Sequence, residues 1–251
     1  MDLGISGRRA IVCGASAGLG RGVATSLARE GVILTLAARG EDRLTLAVAE
    51  IAAETGATVT GIACDVTTEA GREALLAAEP APDILVNNAG GPPAGDFRNF
   101  SRDDWIKAID GNMLSAIFLI RSVIDGMIER RFGRIVNITS GAVKSPIAVL
   151  ALSNGARAGL TGFVGGLSRQ VAARNVTLNN VLPGLFDTDR LQTLYGNDQA
   201  VRERAMGQIP ARRFGDPAEF GDLAAFLCGA RAGYITGQNL LIDGGQFPGL
   251  L

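Results

Sequence analysis

The stretch that decides the fold reads Ala10-Ile11-Val12-Cys13-Gly14-Ala15-Ser16-Ala17-Gly18-Leu19-Gly20, and it runs straight into an amphipathic segment from Arg21 to Arg29. Four apolar residues, a turn with glycine at 14, 18 and 20, and apolar residues at helical spacing describe a strand, a tight turn and a helix. Glycine there permits positive φ and lets backbone amides and a helix N-terminus approach a pyrophosphate. Any tight strand-to-helix turn also uses glycine, so the rest of the chain must decide between the two.

Working outward, further short runs of β-branched and apolar residues recur at Ile33 to Ala37, Thr58 to Ala63, Ile84 to Val86, Arg134 to Ile138, Thr177 to Val181 and Leu240 to Ile242. Each is near-continuously apolar, as strands covered on both faces must be. Helical periodicity fills most of the intervals. The alternation predicts an α/β chain, a doubly wound parallel sheet with helices on both faces, that is, a single-domain Rossmann fold over residues 1–251.

Two segments break the rhythm. From Asp187 to Arg213 apolar residues thin out, which predicts a mobile segment over the strand ends, either a substrate lid or an ordinary surface excursion. Its Leu191, Leu194, Tyr195, Met206 and Ile209 stand beside Arg190, Arg202 and Arg204, and would suit an acyl chain or an anionic group equally. The helix expected over Gly155 to Arg174 carries Gly155, Gly159, Gly162, Gly165 and Gly166, each costing roughly 1 kcal/mol against alanine. Glycines three and four apart leave bare backbone on one face, for close core packing or for a second helix.

Composition narrows the function. The chain has 251 residues, 47% of them hydrophobic, and a formal net charge of -1 with both signs interleaved. One large core is expected, with no basic face for nucleic acid and no polybasic patch for a membrane. No apolar run is read as long enough to span a bilayer, and Met1-Asp2-Leu3-Gly4 lacks signal-peptide architecture, so a cytoplasmic protein is expected. Cys13, Cys64 and Cys228 sit in apolar segments without C-x-x-C spacing and read as reduced core thiols, with no metal site. The sequence has no histidine. A Ser-His-Asp hydrolase, a histidine general base and a histidine-containing zinc site are all excluded.

The second strand ends Ala37-Ala38-Arg39-Gly40 with no carboxylate until Glu41. NAD-preferring folds place Asp or Glu here for the ribose 2′-hydroxyl, and an arginine instead accommodates a 2′-phosphate. Arg39 is thus a candidate phosphate ligand with Arg43 beside it, the alternative being a solvated arginine at a strand end. NADP is favoured over NAD.

The glycine turn, Asp65-Val66, Asn87-Asn88-Ala89-Gly90, Asn112, Ser140 and Pro183-Gly184-Leu185-Phe186-Asp187-Thr188 fall in an order and spacing that resembles the short-chain dehydrogenase/reductase family, especially its 3-oxoacyl carrier-protein reductases. Tyr234-Ile235-Thr236-Gly237-Gln238 and the run from Leu240 to Gly245 extend the resemblance over nearly the whole chain. It implies cofactor contacts at Gly14, Ser16, Gly18, Leu19, Gly20, Arg39, Arg43, Asp65, Val66, Asn88, Ala89, Gly90, Arg157, Pro183, Gly184 and Thr188. It further implies that the glycine-rich helix pairs with its copy in a homo-oligomer, a dimer or tetramer.

In that family a Tyr-x-x-x-Lys pair follows the serine by thirteen residues. The same register here reads Ser153-Asn154-Gly155-Ala156-Arg157. Hydride transfer to a carbonyl leaves charge on oxygen, so the site needs a donor that polarises it and delivers a proton. A phenol has a pKa of about 10 and can be tuned toward neutrality; an alkyl hydroxyl is far weaker and a ring shorter. Arg157 keeps a positive charge, for example near the nicotinamide ribose, and exchanges no proton.

Ser140, Asn112, Ser153, Arg157 and Lys144 are the candidate catalytic residues. Lys144, Tyr195 or a water held by Ser140, Ser153 and Asn154 are the alternative proton sources. Three functions remain open: an NADP(H)-dependent oxidoreductase acting on a carbonyl or hydroxyl, or on an activated alkene; a dinucleotide-binding module that senses or scaffolds; and a non-redox enzyme on the same fold. The small-molecule substrate is not named by the sequence.

Overall fold

The computed structural model describes residues 1–196 and 198–249, except for the side chains of Leu194 and Tyr195. Strands β1 (Arg9–Cys13), β2 (Ile33–Ala38), β3 (Val59–Ala63), β4 (Ile84–Asn87), β5 (Gly133–Ile138), β6 (Val176–Pro183) and β7 (Asn239–Ile242) form one sheet. Its order is β3-β2-β1-β4-β5-β6-β7, and every pairing is parallel. The chain winds outward one way from β1 and the other way from β4. The reversal between them opens a crevice at the carboxyl ends of the strands, where ligands of such sheets bind.

The alternation of side chains along β1 divides the core. Ala10 and Val12 face one side, with Val23 and Leu27 of α1 (Gly18–Arg29), Leu44 and Ile51 of α2 (Glu41–Thr55), and Phe220 and Leu227 of a C-terminal helix, Pro217–Cys228. Ile11 and Cys13 face the other, with Leu75 of α3 (Glu69–Ala78), Leu119 and Val123 of a helix over Ser115–Glu129, and Leu160 and Val164 of a helix over Ala151–Val171. Burying each such Leu, Val or Phe contributes roughly 1.5–3 kcal/mol over leaving it in water.

In chain order the remaining helices are α4 (Arg102–Ile109), α5 (Ser115–Glu129), α6 (Ala151–Val171), α7 (Asp189–Tyr195), α8 (Gln199–Gly207) and α9 (Pro217–Cys228). The doubly wound single-sheet fold expected from the sequence is the one observed. Several details differ. β3 is an edge strand, so Thr60, Gly61 and Ala63 are exposed rather than covered on both faces. The glycine-rich helix starts earlier than expected, at Ala151, and ends at Val171, followed by a 3₁₀ turn over Ala172–Arg174.

The segment 187–213 is also more regular than its composition suggests. It forms α7 and α8, around a small core of Leu191, Ala205, Ile209 and Phe214. Leu191 and Ile209 are spent on that core and are 3% and 1% exposed. Of the other apolar residues expected to face a substrate, the side chains of Leu194 and Tyr195 lie outside the described residues.

The helical run Arg102–Glu129 spans 28 residues, and an 18-residue window of it has mean hydropathy 1.4, long and apolar enough to cross a membrane by length and composition. The sequence reading expected no such segment. One stripe of it packs on the sheet, with Leu119, Ile120, Val123 and Met127 at most 3% exposed, while 39% of the window as a whole is buried.

Candidate active site

The turn after β1 is built for close approach. Gly14 and Gly18 have φ of 60° and 57°. A Cβ on Gly20 would stand 2.3 Å from the Gly14 carbonyl oxygen, and one on Gly14 would stand 2.6 Å from Asn88 Nδ2. Asn88 donates to that same Gly14 carbonyl at 3.3 Å. Across the crevice Gly18 meets the Thr188 side chain, 3.4 Å from where its Cβ would lie. Ala17 provides no side-chain cap for α1, so the first-turn amides remain available to an anion. These residues fit a dinucleotide.

At the β2 end, Arg39 and Arg43 are exposed. Among the described residues Arg39 has no ion pair, whereas Arg43 pairs with Asp189 of α7 at 2.5 Å. Burial would raise the Asp65 carboxyl, but the Thr67 amide and hydroxyl together with Arg39 hold it below the usual range. Val66, Asn88, Ala89, Asn112 and Arg157 line one cavity of about 20 Å³, room for a single water-sized group.

Asn112 lies in a π-helical turn, Asp110–Leu114, between α4 and α5, a bulge of the kind that recurs at functional sites. Its Nδ2 donates to Ala108 O at 3.4 Å, while its buried Oδ1 has no partner. Ser140 follows β5 by two residues, caps the 3₁₀ turn Gly141–Val143, and accepts the Ala142 N–H on Oγ at 3.1 Å. Its own proton is left for another acceptor. Gly141 packs on Pro183, 3.2 Å from its carbonyl oxygen by the position of a Cβ, which brings the Ser140 and Pro183-Gly184 segments together.

One turn of α6 presents both Ser153, 6% exposed, and Arg157, 8% exposed. Arg157 turns toward the backbone: Nη1 donates to Ile138 O at 2.9 Å and Nη2 to Ala89 O at 3.2 Å. Burial, then the nearby Arg190, pushes its pKa down to about 10, so it remains charged at neutral pH. Lys144 is half-buried and follows the 3₁₀ turn; no described contact joins its ammonium to Ser140 or Ser153. Asn154 Nδ2 donates to Ile147 O at 2.9 Å, and its Oδ1 is buried without a partner.

Two features were not anticipated from the sequence: an amide file, and the place of Arg190, which the sequence showed only as one of several arginines of the 187–213 segment. The first is a file of amides across the sheet at in-register positions: Asn87 Nδ2 donates to Asn137 Oδ1 at 2.9 Å, Asn137 to Asn180 at 3.1 Å, and Asn180 to Asn239 at 2.8 Å. Its dipoles align, so each bond polarises the next. The acceptor end, Asn87 Oδ1, is an orphan in the residue immediately before Asn88, and Asn87 lines the Arg157 cavity. The second is the contact of Arg190 with the loop after β4: its guanidinium rests on Gly91, with Nη1 3.5 Å from Gly91 O.

A glycine turn at a sheet reversal, with serine, asparagine and a buried cation at the strand ends, defines a dinucleotide-dependent type of site. The match to known proteins is as specific. The family model described as enoyl-(acyl carrier protein) reductase matches residues 14–246, and the chain belongs to this family of short-chain dehydrogenases/reductases. It is 35% identical over 249 residues to the 3-oxoacyl-[acyl-carrier-protein] reductase of Vibrio cholerae, covering 98% of this chain and 99% of that one.

Among solved structures, YwfH, an NADPH-dependent reductase involved in bacilysin biosynthesis, superposes with a TM-score of 0.93 at 30% identity, over 98% of this chain and 100% of that one. The L-sorbose reductase of Gluconobacter frateurii, complexed with NADPH and L-sorbose, gives a TM-score of 0.92 at 30% identity over the whole of both chains.

Proposed function

We propose that this protein is an NADP(H)-dependent reductase of carbonyl compounds, working in either direction between a carbonyl and a hydroxyl, with a proton source other than a tyrosine. The observation that carries the reading is the glycine cradle of Gly14, Gly18 and Gly20 against Asn88 and Thr188: a Cβ would collide with the Gly14 carbonyl at Gly20 and with Asn88 at Gly14, and Gly18 holds a positive φ beside Thr188. Arg39 and Arg43 at the β2 end, with no carboxylate before Glu41, favour NADP over NAD. The cofactor supplies hydride chemistry when bound; the protein binds it and orients the carbonyl.

Ser140 donates its free hydroxyl proton as a hydrogen bond to the substrate oxygen. Arg157 holds the ends of β4 and β5 together and lends positive charge to the developing oxyanion. Ser153 is too weak an acid to replace a phenol, so no side chain of phenol strength protonates the product; the alkoxide takes its proton from solvent water reaching the strand ends, and the hydroxide left is neutralised by bulk buffer. Losing a general acid costs ~10²–10⁴-fold, so turnover is slow rather than absent. The open face of α6 at Gly162, Gly165 and Gly166, each with nothing within 4 Å of a Cβ, suits pairing with a second copy.

The test is NADPH oxidation by purified protein and by Ser140→Ala on one responsive carbonyl substrate. A fall in kcat of about 10²-fold or more with NADPH affinity unchanged supports the role. Full activity in the variant would remove Ser140 from the chemistry. NADPH binding without turnover on any substrate favours a second reading, a cofactor-binding sensor or scaffold, for which the replaced acid is the observation.

A further inference from the structure

Two guanidinium groups reach the same short loop after β4. Arg157 Nη2 lies 3.2 Å from Ala89 O, and Arg190 Nη1 lies 3.5 Å from Gly91 O, two residues along. Arg190 covers Gly91 so closely that a Cβ there would stand 2.9 Å from Nη2. Arg157 is 8% exposed, whereas Arg190 is exposed and open to solvent. Among the described residues neither arginine has a carboxylate within ion-pair distance, although acids flank Arg190 in the chain. Asp189 is taken by Arg43 at 2.5 Å, and Asp187 by Arg202 at 2.9 Å.

A buried cation without a counter-ion is costly, and a second cation nearby adds like-charge repulsion. An anion held by Arg190 on the outer side of the loop would offset that repulsion. The dinucleotide's anionic groups have ligands of their own: the glycine turn and the α1 N-terminus suit its pyrophosphate, and Arg39 suits a 2′-phosphate while Arg43 stays paired with Asp189. The charge at Ala89 to Gly91 is left over. The planar fork of Arg190 matches a carboxylate in two parallel hydrogen bonds.

We propose that Arg190 binds a carboxylate on the substrate, with Arg157 supplying charge from beneath the loop, so that the substrate is an oxo acid with a free carboxylate. This deepens the reductase reading and rests on it. It also separates the chain from reductases that act on thioesters, in which that carboxyl group is esterified and neutral.

The experiment is calorimetric titration of 3-oxohexanoate and its methyl ester into the wild-type protein, with and without saturating NADP⁺, then into Arg190→Met and Arg190→Lys. The expected result is acid binding tighter than ester by about tenfold or more, the ratio that a charge-assisted bidentate contact carries. Arg190→Met should bring the ratio near one, and Arg190→Lys should leave it intermediate. NADP⁺ affinity should change less than about threefold in Arg190→Met.

Acid bound no tighter than ester by the wild type, including no binding of either at millimolar concentration, overturns the inference. So does a ratio unmoved in Arg190→Met. A loss of NADP⁺ affinity of about tenfold in that variant with the ratio unmoved assigns Arg190 to a cofactor phosphate instead. Failure of wild-type protein to bind NADP⁺ refutes the reductase reading separately, because the titrations without cofactor still report on the two arginines.

Discussion

Arg157 Nη1 donates to the Ile138 carbonyl at 2.9 Å, while the same guanidinium reaches Ala89 O through Nη2. A residue in the register of a family lysine therefore ties α6 to the ends of β4 and β5. Replacing it with methionine leaves two carbonyls short of donors, each worth about 1–3 kcal/mol when buried, but also removes a costly buried charge. Arg157→Met is expected to lower stability by about 1–3 kcal/mol in urea unfolding and to weaken NADPH binding through the Ala89 loop. Unchanged cofactor affinity would show that the loop holds its shape without the tie.

The amide file predicts a larger effect. Asn137 is fully buried and bonded on both sides, to Asn87 and Asn180. Asn137→Val strands one donor and one acceptor in the core, and about 2–5 kcal/mol of stability should be lost. Removing the terminal Asn239 strands only one group, so Asn239→Val should cost less than half as much in the same denaturation series.

Gly20→Ala places a methyl 2.3 Å from the Gly14 carbonyl oxygen, whereas a Cβ on Gly40 meets nothing within 4 Å. Gly20→Ala should weaken NADPH binding by about tenfold or more, roughly 1.4 kcal/mol. Gly40→Ala should leave it unchanged, as read by nicotinamide fluorescence.

Arg213 and the Asp216 amide hold the Glu219 carboxyl down at about 2, below its ordinary 4.5. The folded pKa is depressed, so its stabilisation is complete above the unfolded value and is lost as pH falls from about 4.5 through about 2. Wild type and Glu219→Gln should differ in stability at pH 6 and converge near pH 2 in acid titrations followed by circular dichroism. Arg157 adds no pH dependence in that range: with its folded pKa lowered to about 10, its burial penalty is constant below that value and is relieved only above it.

The glycines of α6 divide by face. Gly155 packs on Trp105 and Gly159 on Met113, while Gly166 meets nothing. If the outer face stays open, Gly166→Ala should raise the melting temperature through helix propensity, by about 1 kcal/mol. If a second copy docks there, the same change should weaken the assembly in sedimentation and lower the melting temperature at low protein concentration.

Much of this molecule was legible because strand, turn and helix signals agreed locally. Val12, Cys13 and the glycines that follow specify both the first strand and the crevice beside it. What sequence could not supply was register. Asn87, Asn137, Asn180 and Asn239 are scattered over more than half the chain, and only parallel pairing lines them up. An asparagine inside or at the edge of four mainly apolar strands was the available signal.

The segment 187–213 looked irregular because Leu191, Ala205, Ile209 and Phe214 build a core too small for a periodic pattern. Arg190 was visible only as one arginine among several. Its contact with Gly91 depends on how α7 folds back over the loop after β4.

The most direct test of the account is NADPH oxidation by the wild-type protein and by Ser153→Ala across β-ketoacyl thioesters, oxo acids, diketones and quinones, using cofactor deuterated at the transferred position and measuring binding in the same samples. The account predicts deuterium delivered stereospecifically to one carbonyl substrate class, with Ser153→Ala retaining most of the rate. Failure of the wild type to bind NADPH, or a rate abolished by Ser153→Ala, would contradict it.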